Sequence, residues 1–174
     1  MHQPNLLTRV LSAAEPAALV QLRTMRLQGS EELWRVSRAL ALCTGLISLD
    51  LSRTGVERLR HVSCLVSLTR LSVRQCDSLW DLGSLAPLTK LAYVDVSYCT
   101  HAWLSLHPLA QTAASLARLE ATHCQAVMDC PRSFPAIGHC TSLARLLLNA
   151  NGTHPELTPL GSLHRLHHLD LNPA

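Results

Sequence analysis

Three groups of side chains in this sequence have the composition of a reactive site. The first is Cys124, Cys130, His139 and Cys140, the soft ligand types that zinc takes. Zinc-binding cysteines come in pairs roughly two to four residues apart, and this set has no such pair. The second is the tract HRLHH, with His164, His167 and His168 gathered around Leu166 and Leu169. The apolar pattern sends those two leucines inward, so the imidazoles are expected at the surface. The third is Cys124 beside His123, which has the elements of a nucleophile and its base. Adjacent residues of an extended strand face opposite ways, so the pair is expected to be split. Phosphate-binding glycine loops, G-x-S-x-G and H-E-x-x-H are missing from the sequence. The expectation is a protein that is not an enzyme and has no metal or cofactor.

Composition narrows the class. Of 174 residues, 48% are hydrophobic and 16% charged, the reverse of a disordered chain. Aromatics make up only 3%, so the apolar mass is aliphatic. Lys+Arg is 15 and Asp+Glu is 12, and a net charge of +3 disfavours nucleic acid as a partner. Lys90 is the only lysine. Arginine binds carboxylates in a bidentate fashion, which favours a recognition surface. The 7 cysteines are odd in number, and the N-terminus shows no secretory pattern, Glu15 and Pro16 breaking its one apolar stretch. No run is long enough to span a membrane. The expected setting is cytoplasmic, with reduced thiols.

The elements that must position these residues emerge from an internal repeat. The block LISLDLSRT (46–54) places apolar residues at Leu46, Leu49 and Leu51. The spacing returns in LRTMRLQGS (22–30), LTRLSVRQC (68–76), LAYVDVSYC (91–99), LARLEATHC (116–124), LARLLLNAN (143–151) and LHHLDLNPA (166–174). The block ends are separated by 24, 22, 23, 25, 27 and 23 residues. Within each block the last apolar positions alternate, as in a short strand with one buried face. Beyond the block the period becomes three, as in Leu79, Leu82, Leu85, Leu88 and Leu91, which suits 3₁₀ or polyproline-like arcs. In the first interval, Ser30 and two glutamates followed by Leu33, Val36, Leu40 and Cys43 predict a helix over 30–43.

These seven blocks resemble the leucine-rich-repeat family, with its signature L-x-x-L-x-L-x-x-N/C. The resemblance implies an α/β fold: a right-handed solenoid with short parallel strands on a concave face. Arcs of 3₁₀ or irregular structure and at least one helix then lie on the convex side. The expected organisation is an N-terminal helical cap over 1–21, restarted at Pro16, and about seven repeats over 22–174. The last repeat would be uncapped, which leaves self-association through that end open. The resemblance further implies that Cys76, Cys99 and Cys124 point inward and satisfy the backbone of each turn. Thr54 and Ser30 would substitute weakly there, and Ala174 not at all.

Outward side chains stack into three columns on the sheet. The first is Thr24, Ser48, Arg70, Tyr93, Arg118, Arg145 and His168. The central one is Arg26, Asp50, Ser72, Asp95, Glu120, Leu147 and Asp170. The third is Gln28, Ser52, Arg74, Ser97, Thr122, Asn149 and Asn172. An arginine-rich stripe thus runs beside an acidic one. Candidate contacts for another protein or peptide are Asp50, Arg70, Arg74, Tyr93, Asp95, Arg118, Glu120 and Arg145, with Tyr98 as a further anchor. Neighbouring charges on such a face can also simply neutralise one another. Trp80 and Trp103 are expected at the convex core or rim. The functional expectation is a non-catalytic scaffold binding on the concave face. The alternative is a substrate receptor or adaptor of a larger assembly, such as a ubiquitin ligase, motivated by cysteine at the repeat ends.

Overall fold

A computed structural model describes residues 14–30, 33, 38–101, 104–124, 132–149 and 157–172. Seven strands of three residues each form one parallel sheet in sequence order: β1 (Thr24–Arg26), β2 (Ser48–Asp50), β3 (Arg70–Ser72), β4 (Tyr93–Asp95), β5 (Arg118–Glu120), β6 (Arg145–Leu147) and β7 (His168–Asp170). The register pairs Leu49 with Leu71, Leu71 with Val94, Val94 with Leu119 and Leu119 with Leu146. Each strand is short because only its middle residue must face the core while the two flanking it face out. From Leu49 to Leu146 these middle residues are buried. In β7, which has a neighbouring strand on one side, Leu169 is 43% exposed.

The backbone ladder continues past each strand. Arg53, Gln75, Tyr98 and His123 donate their N–H groups to the carbonyls of Arg74, Ser97, Thr122 and Asn149 in the next repeat. These same four residues have φ between 54° and 62°, and Gly29 holds the equivalent place at 75°. The left-handed conformation turns the chain from the sheet toward the convex side, one residue before the end of the first five blocks. It costs a non-glycine residue roughly 1 kcal/mol, which the extra ladder bond helps to offset.

The block ends are tied together as the resemblance implied. The thiol of Cys76 donates to the Leu51 carbonyl at 3.1 Å, that of Cys99 to Val73 at 3.0 Å and that of Cys124 to Val96 at 2.9 Å. Each acceptor is the third apolar residue of the preceding repeat. Thr54 uses its hydroxyl differently, bonding Leu51 within its own turn at 2.7 Å. Burial raises the pKa of all three thiols, that of Cys124 to about 11. They are held as protonated donors.

The arcs follow the period of three. Segments Arg60–Cys64, Gly83–Leu85, His107–Thr112 and Thr158–Ser162 are 3₁₀. Leu79, Leu82, Leu85, Leu88 and Leu91 are all buried, one from each turn. The helix expected over 30–43 needs correction. Arg38–Leu42 is 3₁₀ and Leu33 lies outside any helix, while 31–32 and 34–37 lie outside the described residues. Leu40, Cys43, Leu46 and Leu49 are in fact spaced by three and buried, and this spacing prevails. A convex helix occurs instead at α2 (Ser133–His139), in the longest repeat. An α-helix advances about 1.5 Å per residue against about 2.0 Å for 3₁₀, so it takes up the extra residues over the same climb. At the N-terminal side, α1 (Pro16–Gln21) begins on its proline. The rest of the expected cap, through residue 13, lies outside the described residues.

Candidate functional site

The reactive sets flagged by composition are dispersed. Cys124 belongs to the thiol ladder, and Cys140 donates to the carbonyls of Ala136 and Leu109 at 3.5 and 3.6 Å. Cys130 lies outside the described residues. Among the described residues no group of three or more His, Cys, Asp or Glu is placed to hold a metal. His123 is exposed and Cys124 buried, on opposite faces of the turn. His164, His167 and His168 are exposed. Trp80 sits half-buried at the rim, under the Arg58 guanidinium at 3.9 Å, and Trp103 lies outside the described residues.

The first two concave columns form by strand register, because a parallel ladder puts equivalent residues side by side. Arg70 pairs with Tyr93, Tyr93 with Arg118, Arg118 with Arg145 and Arg145 with His168. Asp50, Ser72, Asp95, Glu120 and Leu147 line up in the same way. The third column is joined across repeats in places, as where the hydroxyl of Ser97 accepts the Thr122 N–H.

Within this frame the acids and the arginines have different surroundings. Asp50 accepts the backbone N–H of Ser52, and Asp95 that of Ser97, both at 2.9 Å. Asp170 accepts from the Asn149 side-chain amide at 2.6 Å and from the Asn172 N–H. The acidic stripe therefore closes its own strand ends, as a short carboxylate does in an Asx turn. Asp95 is buried, and desolvation raises its pKa despite the Ser97 bonds. Glu120 is engaged by the arginine stripe instead, pairing with Arg118 and accepting from its Nε at 2.7 Å.

Arg70, Arg74 and Arg145 are exposed, and among the described residues none forms an ion pair. Arg70 and Arg118 lie over opposite neighbours' sides of Tyr93, at 5.1 and 5.4 Å from its ring centre. Burial, then the nearby Asp95 and Glu120 charges, push the Tyr93 hydroxyl up to about 12, with a bond to Glu120 contributing. Arg74 lies 4.4 Å from the Tyr98 ring, and Tyr98 stacks on His123 at 4.4 Å. Aromatic faces thus orient cations whose N–H edges remain available.

Sequence reasoning placed the columns but missed two of these features. The Asp-x-Ser pairs at 50–52 and 95–97 were visible as turn chemistry. The Tyr98–His123 stack was not, because it depends on the left-handed turn that brings successive block ends together.

Comparison with known proteins places this geometry. No family profile and no curated protein sequence matches the chain. Solved structures do. An internalin from Listeria monocytogenes aligns with 94% of this chain and 53% of its own, at 22% identity and a TM-score of 0.62. A leucine-rich-repeat protein from Leptospira interrogans aligns with 99% of this chain and 41% of its own, at 19% identity and a TM-score of 0.78. TLR13, solved as a complex with ssRNA13, aligns with 86% of this chain and 20% of its own, at 19% identity and a TM-score of 0.59. The chain thus spans about half or less of the length of these structures. With seven registered repeats, a sequential parallel sheet and these neighbours, the chain has the leucine-rich-repeat fold.

Proposed function

We propose that this chain is a non-catalytic scaffold that takes a protein or peptide partner on its concave face. The observation that carries this reading is the arginine–tyrosine assembly across β3 to β5. Arg70 and Arg118 flank Tyr93 in the first column, and Arg74 lies on Tyr98 at the turn after β4. Tyrosine and arginine are the residue types that dominate binding hot spots. A sheet with no partner gains little from holding exposed guanidinium groups over aromatic rings. The buried thiols support the non-catalytic part, since a nucleophile requires a lowered pKa and theirs are raised. Arg70, Arg74, Tyr93, Arg118, Glu120 and Arg145 form the proposed contact set, and Asp50 and Asp95 shape its floor.

The reading is tested with a photo-reactive phenylalanine analogue placed at one of two positions in cells. Leu147 lies in the central concave column, and His107 is exposed on a convex arc. Cross-linking to a discrete partner is expected from Leu147 and not from His107. Capture from His107 alone, or equally from both, would refute concave-face binding.

A further inference from the structure

We infer that the partner presents an acidic, extended peptide segment, with two carboxylates four residues apart on one side. The inference rests on the concave-face reading above and adds the chemistry of what is bound.

Charge satisfaction on the sheet is one-sided. Of the acids in the central column, Asp50, Asp95 and Asp170 turn toward their own backbone or a neighbouring amide, and Glu120 is paired with Arg118. Among the described residues Arg70, Arg74 and Arg145 form no ion pair; Arg74 is near enough to Asp95 for its charge to act on that carboxyl, while Arg70 and Arg145 stand exposed in the first column. Tyr93 and Tyr98 hold Arg70 and Arg74 by their faces, which leaves the guanidinium edges for a planar, bidentate acceptor. A carboxylate is such an acceptor.

The register gives the spacing. Arg70 stands on β3 and Arg145 on β6, in the same column. Strands lie about 4.8 Å apart, so three steps put the two positions about 14 Å apart. An extended peptide advances about 3.4 Å per residue and returns to the same side every second residue. Residues i and i+4 of a segment crossing the strands therefore reach both arginines at once. The residue between them, i+2, passes over Tyr93 and Arg118.

Nucleic acid fits the same face less well. A continuous phosphodiester would run beside Asp50, Glu120 and Asp170, which share the adjacent column. A peptide need place negative charge only where the arginines are.

The test is fluorescence anisotropy on the full chain, with labelled eight-residue peptides of serine, threonine and tyrosine. One carries glutamates at i and i+4, a second carries adjacent glutamates, and a third carries lysines at i and i+4. An oligouridylate of similar length is the nucleic-acid probe. The i, i+4 diglutamate peptide is expected to bind best, and binding should weaken as salt is raised. Arg70→Gln and Arg145→Gln should each weaken it about fivefold or more, with Arg60→Gln on a convex arc as the unaffected control. Equal affinity for the lysine or adjacent-glutamate peptide, insensitivity to both arginine substitutions, or tighter binding of the oligouridylate would overturn the inference. If Leu147 still cross-links a partner when the diglutamate peptide neither binds nor competes, the concave-face reading stands and only the acidic chemistry falls. If Leu147 captures nothing, the broader reading falls as well.

Discussion

Replacing Cys99 with alanine isolates what holds successive repeats together. Its side chain is fully buried, and its thiol donates to the Val73 carbonyl one repeat earlier, at 3.0 Å. Alanine leaves that carbonyl without its donor inside the core. An unsatisfied buried acceptor costs about 1–3 kcal/mol, and a thiol is a weak donor, so the lower part of that range applies. The missing sulfur adds a small void, worth roughly another 1 kcal/mol. The total of about 2 kcal/mol corresponds to a melting temperature lower by about 4–8 °C in a chain of this size. Urea unfolding followed by circular dichroism measures it, with Cys64→Ala, at an exposed position, as the reference near zero. Cys99→Ser separates the two contributions. It keeps a donor for the Val73 carbonyl and should fall between wild type and alanine. Equal, small effects of Cys99→Ala and Cys64→Ala would refute the ladder as a structural element. A serine variant as unstable as alanine would show that the hydrogen bond carries none of the cost.

Three further outcomes follow from the packing and the thiols. Burial holds Cys124 and Cys140 at about 11 against an ordinary 9.0, so the unfolded chain loses those protons first as pH rises. Stability is therefore complete below about pH 9 and falls by a few kcal/mol between about pH 9 and 11; a urea midpoint unchanged across that range would contradict the burial. Gly138→Ala should destabilise by about 1–3 kcal/mol, because an added Cβ would stand 2.5 Å from the Pro159 carbonyl where α2 meets the next arc, and calorimetry reads the loss. Gln75→Gly should raise stability by about 0.5–1 kcal/mol in urea titration, because φ there is 58° and the side chain is exposed; a loss of stability would mean that the turn does not carry the strain assigned to it.

The repeat was legible because leucine at fixed spacing serves two periods at once. Leu68, Leu71 and Val73 mark a strand, and Leu79 through Leu91 mark an arc, so the boundary between elements is written in the spacing itself. The columns followed, since a parallel register adds no freedom once the block ends are aligned. The arc of the first interval was misread because Ser30 and its glutamates suggest a helix start, while Leu40, Cys43 and Leu46 follow the period of three. Phe134 and Ile137 of α2 and Cys140 just after it are spaced by three as well, and the greater length of that repeat was the signal in the sequence that set it apart from the 3₁₀ arcs. The candidate site was legible as residue types but not as interactions. Asp95 and Arg145 both read as exposed charges, yet one is folded onto its own backbone and the other stands exposed. That difference is local: the N–H of Ser97, two residues after Asp95, is within reach of the short carboxylate, whereas a guanidinium can only donate and has no use for that N–H.

On the reading proposed above, recognition resides on the concave arginine column and the fold does not depend on it. A double substitution, Arg70→Glu with Arg145→Glu, tests both parts, because both side chains are exposed and neither forms an ion pair among the described residues. The measurement is the affinity of this variant for the partner cross-linked from Leu147, alongside its melting temperature. Binding is expected to weaken by well over tenfold, with the melting temperature unchanged within about 2 °C. Full affinity in a folded double variant would contradict that reading.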